Sequence, residues 1–437
     1  MERDLKNKSS RAPLVFAAGL LLAAGSATLL DGASAAIARA FEGKVDLSKA
    51  ALELAKPAPL SFAEEQAAEA AWRYFENNAQ ALTGFVNSVA DFPSSTLWDQ
   101  GTYLLALVSA VRLELITIEE FDARVLAFVD GLARIELFDQ RLPNKVYHTQ
   151  TLSMVTYANE LAEEGIGWSA LDIARLLMGL RVVEKHYPEH GASIRKVLAE
   201  WDLDAMAVDG ELVGAEREDN GEIAYVQEGR MGYEQYGARS AALWGLDVIR
   251  AISAERVVAW REVGGIDVPV DQRRASSFGA ITPTLSEPYL LLALELGLDA
   301  ESHALAHRVY AAQESRYTET GQITAVSEDH LDQAPFFAYS SVTTNGRDWG
   351  VVTEVGTFHD ELRTISTKAA FGWAAVFGTE YAELARELVI ELADDQGFPA
   401  GVYEADGKVN EALTLNTNGV ILEALHYQVF GPLWSVR

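Results

Sequence analysis

From Ser61 to its end the chain carries helical periodicity opened by hydroxyl caps, and this restricts the fold more than any other feature. Ser61 with Glu64, Thr117 with Glu120 and Ser169 with Asp172 repeat one pattern, in which a hydroxyl and a carboxylate three residues on satisfy each other's backbone donors at a helix start. After Thr117, the residues Phe121, Val125, Val129 and Leu132 recur at helical spacing and mark one buried face. The same reading predicts helices over 62–82, 100–114, 118–136, 150–164, 170–187, 190–201, 235–254, 287–296, 300–316, 361–376, 380–394 and 418–428. Twelve helices in hairpin pairs, with no repeated strand signal, predict an all-α domain: an (α/α)6 toroid of six inner and six outer helices.

The connections divide into two kinds. Leu115-Ile116-Thr117 is short, whereas 202–233, 255–285, 317–360 and 395–417 are long and crowded with Gly, Asp, Glu, Asn and aromatic residues. Long loops in a compact domain are usually functional, so these are expected to line one mouth of the toroid and build a cleft there. No Pro/Gly/Ser linker interrupts 61–437, which reads as a single domain behind a leader at 36–60.

Before that leader, Arg3, Lys6, Lys8 and Arg11 precede an uncharged apolar run from Ala12 to Leu30, and Ala33-Ser34-Ala35 fits a small-residue cleavage site. Residues 1–35 are therefore expected to be a signal peptide or an N-terminal anchor, sending the domain to the periplasm or outside the cell. The run is also long enough to stay in a membrane. Cysteine is absent, which excludes disulfides and thiolate metal sites. The 64 acidic against 35 basic residues give a formal charge of -29, which repels a phosphate backbone, so no nucleic-acid partner is expected.

Glu234 lies between Tyr233 and Tyr236 at a helix entrance that follows a Gly-rich acidic loop. A carboxyl held against rings loses hydration and its pKa rises toward that of a general acid, although the same position also complements the positive end of a helix. The loops supply further acids, Asp99, Asp172, Glu228, Glu287, Glu328, Asp329, Asp360 and Glu411. Among their rings are Trp98, Trp168, Tyr225, Phe337, Tyr339, Trp349 and Phe358. Carboxylates that move protons beside flat rings that hold pyranose faces suit a sugar-processing cleft. Asp172 is equally explained as a cap, and Trp98 and Trp168 as core aromatics. Lys368 is an odd cation in an apolar helix and calls for a buried carboxylate partner. His148, His330 and His359 are scattered, so neither a metal site nor a cofactor is expected.

Several segments together resemble a known family: Leu97-Trp98-Asp99-Gln100-Gly101-Thr102-Tyr103, Gly167 to Leu177, Ser286-Glu287-Pro288-Tyr289, Thr324 to Glu328, Ile365 to Phe371 and Leu415-Asn416-Thr417-Asn418-Gly419. They are similar to exported bacterial proteins of a domain of unknown function, related to glycoamylase-like domains and endo-β-1,2-glucanases. The resemblance spans about residues 65–432. It implies an (α/α)6 barrel and inverting hydrolysis of β-1,2-glucan, with Glu234 as general acid and Asp172 facing the substrate. The glucanase relatives carry an Asp before a Gly near the C-terminus, whereas this chain has Asn416-Thr417-Asn418-Gly419. The base is then expected among Glu328, Asp99 and Glu411, with Trp98, Trp168, Tyr233, Tyr236, Glu287, Tyr339 and Trp349 beside Asp172 as substrate-binding residues. The expected function is an endo-acting glucan hydrolase. The alternatives are a non-catalytic glycan-binding protein of the envelope and a polysaccharide lyase, the latter disfavoured by the scarcity of Arg in the loops.

Overall fold

The computed structural model describes Val45, Leu47 and residues 51–273 and 280–435, which form one compact unit. The expected signal or anchor at 1–35 lies outside the described residues. The last part of the expected leader is tied to the domain. Ala55 and Ala58 donate backbone hydrogen bonds to Val376 and Gln428, and Leu52 accepts one from His303.

Eleven helices are found among the described residues. They are α1 Phe62–Asn78, α2 Leu97–Arg112, α3 Ile118–Leu132, α4 Ala170–His186, α5 Gly191–Leu198, α6 Tyr233–Ala242, α7 Glu287–Leu291, α8 Ala300–Thr320, α9 Thr367–Phe377, α10 Glu380–Ile390 and α11 Leu415–Phe430. A π-helical turn, Leu292–Leu296, continues α7. The contacts of α2 with α4, α4 with α6, α6 with α7, α7 with α9, α9 with α11 and α11 with α2 close a ring of six. A helix apolar on all sides belongs inside and one with a single stripe belongs outside. Every residue of α9 is buried, whereas α3 buries only the side that carries Phe121, Val125, Phe128, Val129 and Leu132. Each fully buried Leu or Val of α2, such as Leu104, Leu105, Leu107 and Val108, contributes about 1.5–3 kcal/mol relative to exposure. Gly101 permits the close crossing of α2 and α4, since a Cβ there would sit 2.7 Å from the backbone of Arg175.

Helices α1, α3, α5, α8 and α10 form the outer layer. In chain order the sixth outer place goes to the antiparallel hairpin Val258–Val263 and Ile266–Asp271, which packs on α8. The helix predicted over 235–254 stops at Ala242 because the chain turns at Gly245, whose φ of 85° lies in the left-handed region. The helix predicted over 150–164 does not form. Hydroxyls of Thr151 and Thr156 bond nearby backbone N–H groups instead, and Leu152 and Asn159 have positive φ. Among the described residues helix makes up 43% and strand 19%, so the all-α expectation is corrected: small sheets decorate the ring. The strands Ser94–Thr96, Gly167–Trp168, Thr364–Ser366 and Val409–Leu413 each lead into an inner helix.

Inner helices pass to outer ones through the short links 113–117, 187–190, 297–299 and 378–379. Outer elements return through long segments, so all six inner helices start at the same mouth.

Candidate functional site

Hydroxyl caps set how the mouth is furnished. Thr96, Ser169 and Thr414 accept the backbone N–H groups of Asp99, Asp172 and Thr417, which fixes the first turns of α2, α4 and α11. Those turns and their counterparts in α6, α7 and α9 bring Trp98, Asp99, Asp172, Tyr233, Glu287, Lys368 and Asn416 to one end of the ring. The positive ends of six helices also meet there, which favours anions.

Below the mouth, a charged plug fills the axis. Arg175 on α4 reaches Glu295 at 2.7 Å and Glu423 on α11 at 3.2 Å, and donates to Thr102 on α2 at 2.8 Å; Arg175, Glu295 and Glu423 are fully buried. Tyr236 on α6 donates to Glu295 at 2.6 Å. One guanidinium faces two carboxylates, and burial with the charge of Glu295 pushes Glu423 well above the carboxylate range. The guanidinium also lies 4.8 Å under the ring of Trp98, which is thereby held at the mouth.

Above the plug, Lys368 pairs with Glu287 and lies 3.8 Å from Asp329, the buried carboxylate partners its sequence context called for. Asn416 and Ser327 also donate to Glu287, at 2.8 and 3.2 Å. Glu328 is part-exposed beside this group. Burial, then the negative charge of Glu287, pushes its pKa up to about 8, against the pull of Lys368 and Tyr233. Asp172 is likewise part-exposed and is pushed up to about 8, first by burial and then by Glu228. Glu228 accepts the backbone N–H of Ala170. Asp99 is 8% exposed and accepts from the hydroxyls of Ser88 and Thr96, the latter at 2.9 Å. Burial raises its pKa, while those hydroxyls and the charges of Arg175 and Lys368 favour its anion.

Rings complete the enclosure. Trp98 meets Tyr233 edge-on at 5.5 Å, and Phe337 meets Tyr339 at 5.2 Å. Tyr157 is 64% exposed, yet burial is the largest cause lifting its phenol pKa, with Asp172, Glu354 and Glu228 also contributing. A ring open to solvent but crowded by protein stands inside a concavity, the usual form of a ligand site. Burial raises the Tyr339 phenol pKa and the charges of Glu328, Glu354 and Asp172 add to it, so both raised acids lie within electrostatic reach of one ring.

The sequence matches the family described as protein of unknown function (DUF3131) over residues 66–431. The chain belongs to that family. No functionally curated protein matches it. Among solved structures, the DUF3131 chain is similar to a candidate glucoamylase from Bacteroides caccae, at 14% identity and a TM-score of 0.61, covering 85% of this chain and 94% of that one. It is similar to an endo-β-1,2-glucanase from Chitinophaga pinensis, in complex with sophorotriose and glucose, at 13% identity and a TM-score of 0.61, covering 86% and 94%. It is also similar to an endo-β-1,2-glucanase variant from Talaromyces funiculosus bound to β-1,2-glucan, at 11% identity and a TM-score of 0.54, covering 85% and 84%. These likenesses give the DUF3131 chain an (α/α)6-type fold.

The DUF3131 mouth gathers Asp99, Asp172, Glu328, Glu287, Trp98, Tyr233 and Tyr339 from the sequence-predicted set. Glu234 is kept apart. It is 1% exposed and is gripped by Arg273 at 2.6 and 3.1 Å, with Gln227 donating at 3.1 Å, and Asp271 shares the same guanidinium. Burial still raises its pKa against the pull of Arg273, but both of its oxygens are bonded within the protein, so the expected proton donor stands behind the mouth rather than open to it. Trp168 and Tyr236 are fully buried, so they support the mouth from beneath and do not offer a face to a ligand. Glu411 is exposed on the strand Val409–Leu413, and Trp349 is stacked under Arg316 at 4.9 Å. The sequence reading missed Tyr157, because its segment was taken for a helix, and Arg273, whose partner Glu234 is 39 residues away. Among the described residues, Asp122, Glu189 and His190 form a grouping of metal-ligand type, and it stands beyond the far ends of the inner helices.

Proposed function

We propose that this DUF3131 member is a glycoside hydrolase that cleaves a glucan, with β-1,2-glucan as the favoured substrate. The observation that carries the reading is Glu328: a carboxyl pushed up to about 8, open to a ring-lined cleft, beside an anion, Glu287, that Lys368 fixes. Such a group keeps its proton at neutral pH and can give it up, as a general acid must. The similarity to glucanases seen with sophorotriose and with β-1,2-glucan supports the choice of substrate.

In this mechanism Glu328 protonates the glycosidic oxygen as its bond to the anomeric carbon breaks. Asp99 takes a proton from water, and the water oxygen forms the new bond to that carbon. Asp172, kept neutral, donates a hydrogen bond to a sugar hydroxyl. Trp98, Tyr339 and Tyr157 hold pyranose faces. Inversion requires room for that water, about 6.5–9.5 Å between the two carboxyl groups. Export through the segment at 1–35 would bring the domain to such a polymer, and cell fractionation tests that part.

A second reading has one observation in its favour. Where the resemblance to the glucanases implies an Asp before a Gly, this chain has Asn416-Thr417-Asn418-Gly419, and Asn416 donates to Glu287 without acting as an acid. On that reading the cleft binds glycan without cutting it. Reducing-end release by the purified chain from β-1,2-, β-1,3-, β-1,4- and β-1,6-glucans decides between the two. Release from one glucan is expected, while tight binding with no release from any glucan favours the binding protein.

A further inference from the structure

A second concavity lies on the hairpin formed by Glu211–Arg217 and Ile223–Gln227. Val213 pairs with Gln227 and Ala215 with Tyr225, so Val213, Tyr225 and Gln227 point to one face of the hairpin. Glu228, the next residue along, accepts from Ala170 beside Asp172 on the other face. The cavity is therefore separate from the mouth. Its volume is about 500 Å³, within the range of small-ligand sites, and Arg141, Asp202, Asp204, Val213, Tyr225 and Gln227 line it.

We propose that this cavity binds a short stretch of neutral oligosaccharide. Tyr225 is 54% exposed, a large ring left open to solvent next to fixed polar groups. Arg141 is held by Asp202 at 2.9 Å, lies 5.6 Å over the buried ring of Trp168, and is 3.4 Å from the Tyr225 hydroxyl. Gln227 is locked by Arg230 and Glu234, so this wall is rigid. A flat ring takes the C–H face of a pyranose, while a guanidinium fork and carboxylates bind its hydroxyls. One cation against two carboxylates repels an anionic sugar, which selects for a neutral one. The ligand class rests on the glycan reading of the mouth, but the site does not depend on turnover there.

The test is equilibrium titration of the full chain with neutral β-1,2-, β-1,3- and β-1,4-linked glucotrioses and an anionic galacturonate trimer, repeated on Tyr225→Ala and Tyr225→Phe. At least one neutral trisaccharide is expected to occupy a site that Tyr225→Ala weakens about tenfold or more and that Tyr225→Phe largely keeps, with glucan turnover unchanged in both. If glucan is cleaved but Tyr225→Ala alters no binding, the cavity proposal falls and the hydrolase reading stands. Tyr225-dependent binding without any turnover leaves the cavity standing and sinks the hydrolase. Preference for the anionic trimer also overturns the proposal.

Discussion

Two buried carboxyl clusters flank the start of α6, and they are built from similar parts to opposite effect. Around Lys368 one ammonium serves Glu287, Asp329 and Glu328. Burial, with the charge of Glu287 added, outweighs the one ammonium and pushes Glu328 and Asp329 up to about 8 and about 7, and Glu328 faces the cleft. Around Arg273 a planar fork serves Glu234 and Asp271, and the backbone N–H groups of Met231 and Arg273 also bond Asp271. Guanidinium donors match carboxylate oxygens in pairs, so Glu234 and Asp271 are tied to one fork, although burial still raises the Glu234 pKa. Access separates the two acids: Glu328 is part-exposed at the cleft, whereas Glu234 is 1% exposed and held through both oxygens.

The sharpest way to break that comparison is to neutralise one acid in each cluster. Glu328→Gln is expected to lower kcat by about a hundredfold to ten-thousandfold while glucan binding persists, the range removed with a general acid. Retained turnover would falsify the assignment. Glu234→Gln is expected to cost about 3–5 kcal/mol of folding stability, since it leaves Arg273 short of a buried partner. In the folded fraction its kcat should stay within a few-fold of the parent. Urea unfolding read alongside single-turnover rates separates the two effects, and a collapse of kcat without loss of stability would return Glu234 to the chemistry.

Acidity provides the next test. Glu328 and Asp172 are raised from ordinary values of 4.5 and 3.8 to about 8, so the folded chain keeps protons that the unfolded chain has released. Their contribution to stability is full below the ordinary values and is lost as pH rises to about 8. Activity should fall above the same point, with a descending limb near pH 8 that shifts or disappears in Glu328→Gln. A descending limb near pH 5 would contradict the raised acid. The smallest effect is expected from Asp172→Asn, which loses the proton but keeps a donor. A few-fold rise in KM with little change in kcat fits that role, whereas a thousandfold loss of kcat would make Asp172 the acid.

The ring was legible because its signals are local. The hydroxyls of Ser61, Thr117 and Ser169 cap their helices as read, though of the three only Ser61 has its carboxylate, Glu64, returning the bond, and Lys368 announced its partners by being out of place in an apolar helix. The decorating sheets were not legible, since strands of two or three residues, such as Gly167–Trp168, are too short to show alternation. At the site, Asp99, Asp172 and Glu328 sit close to caps and short strands that the sequence marks. Glu234 looked like an acid framed by tyrosines, and only its pairing with Arg273 across an intervening hairpin shows that it is bound up. Tyr157 was hidden because threonine side chains defeat a helix whose apolar spacing looks sound.

The plug on the axis has a consequence for how the ring is assembled and inherited. Arg175, Thr102, Tyr236, Glu295 and Glu423 come from five different inner helices and meet in one hydrogen-bonded knot. A half-built ring would strand a bare charge in an apolar interior, so the helices gain by closing together, like staves drawn up by a single hoop. No one member of the knot can drift in sequence without the others. Away from Glu328 and Asp329, which answer to Lys368, the mouth loops carry no such constraint and are free to diversify over an unchanged barrel.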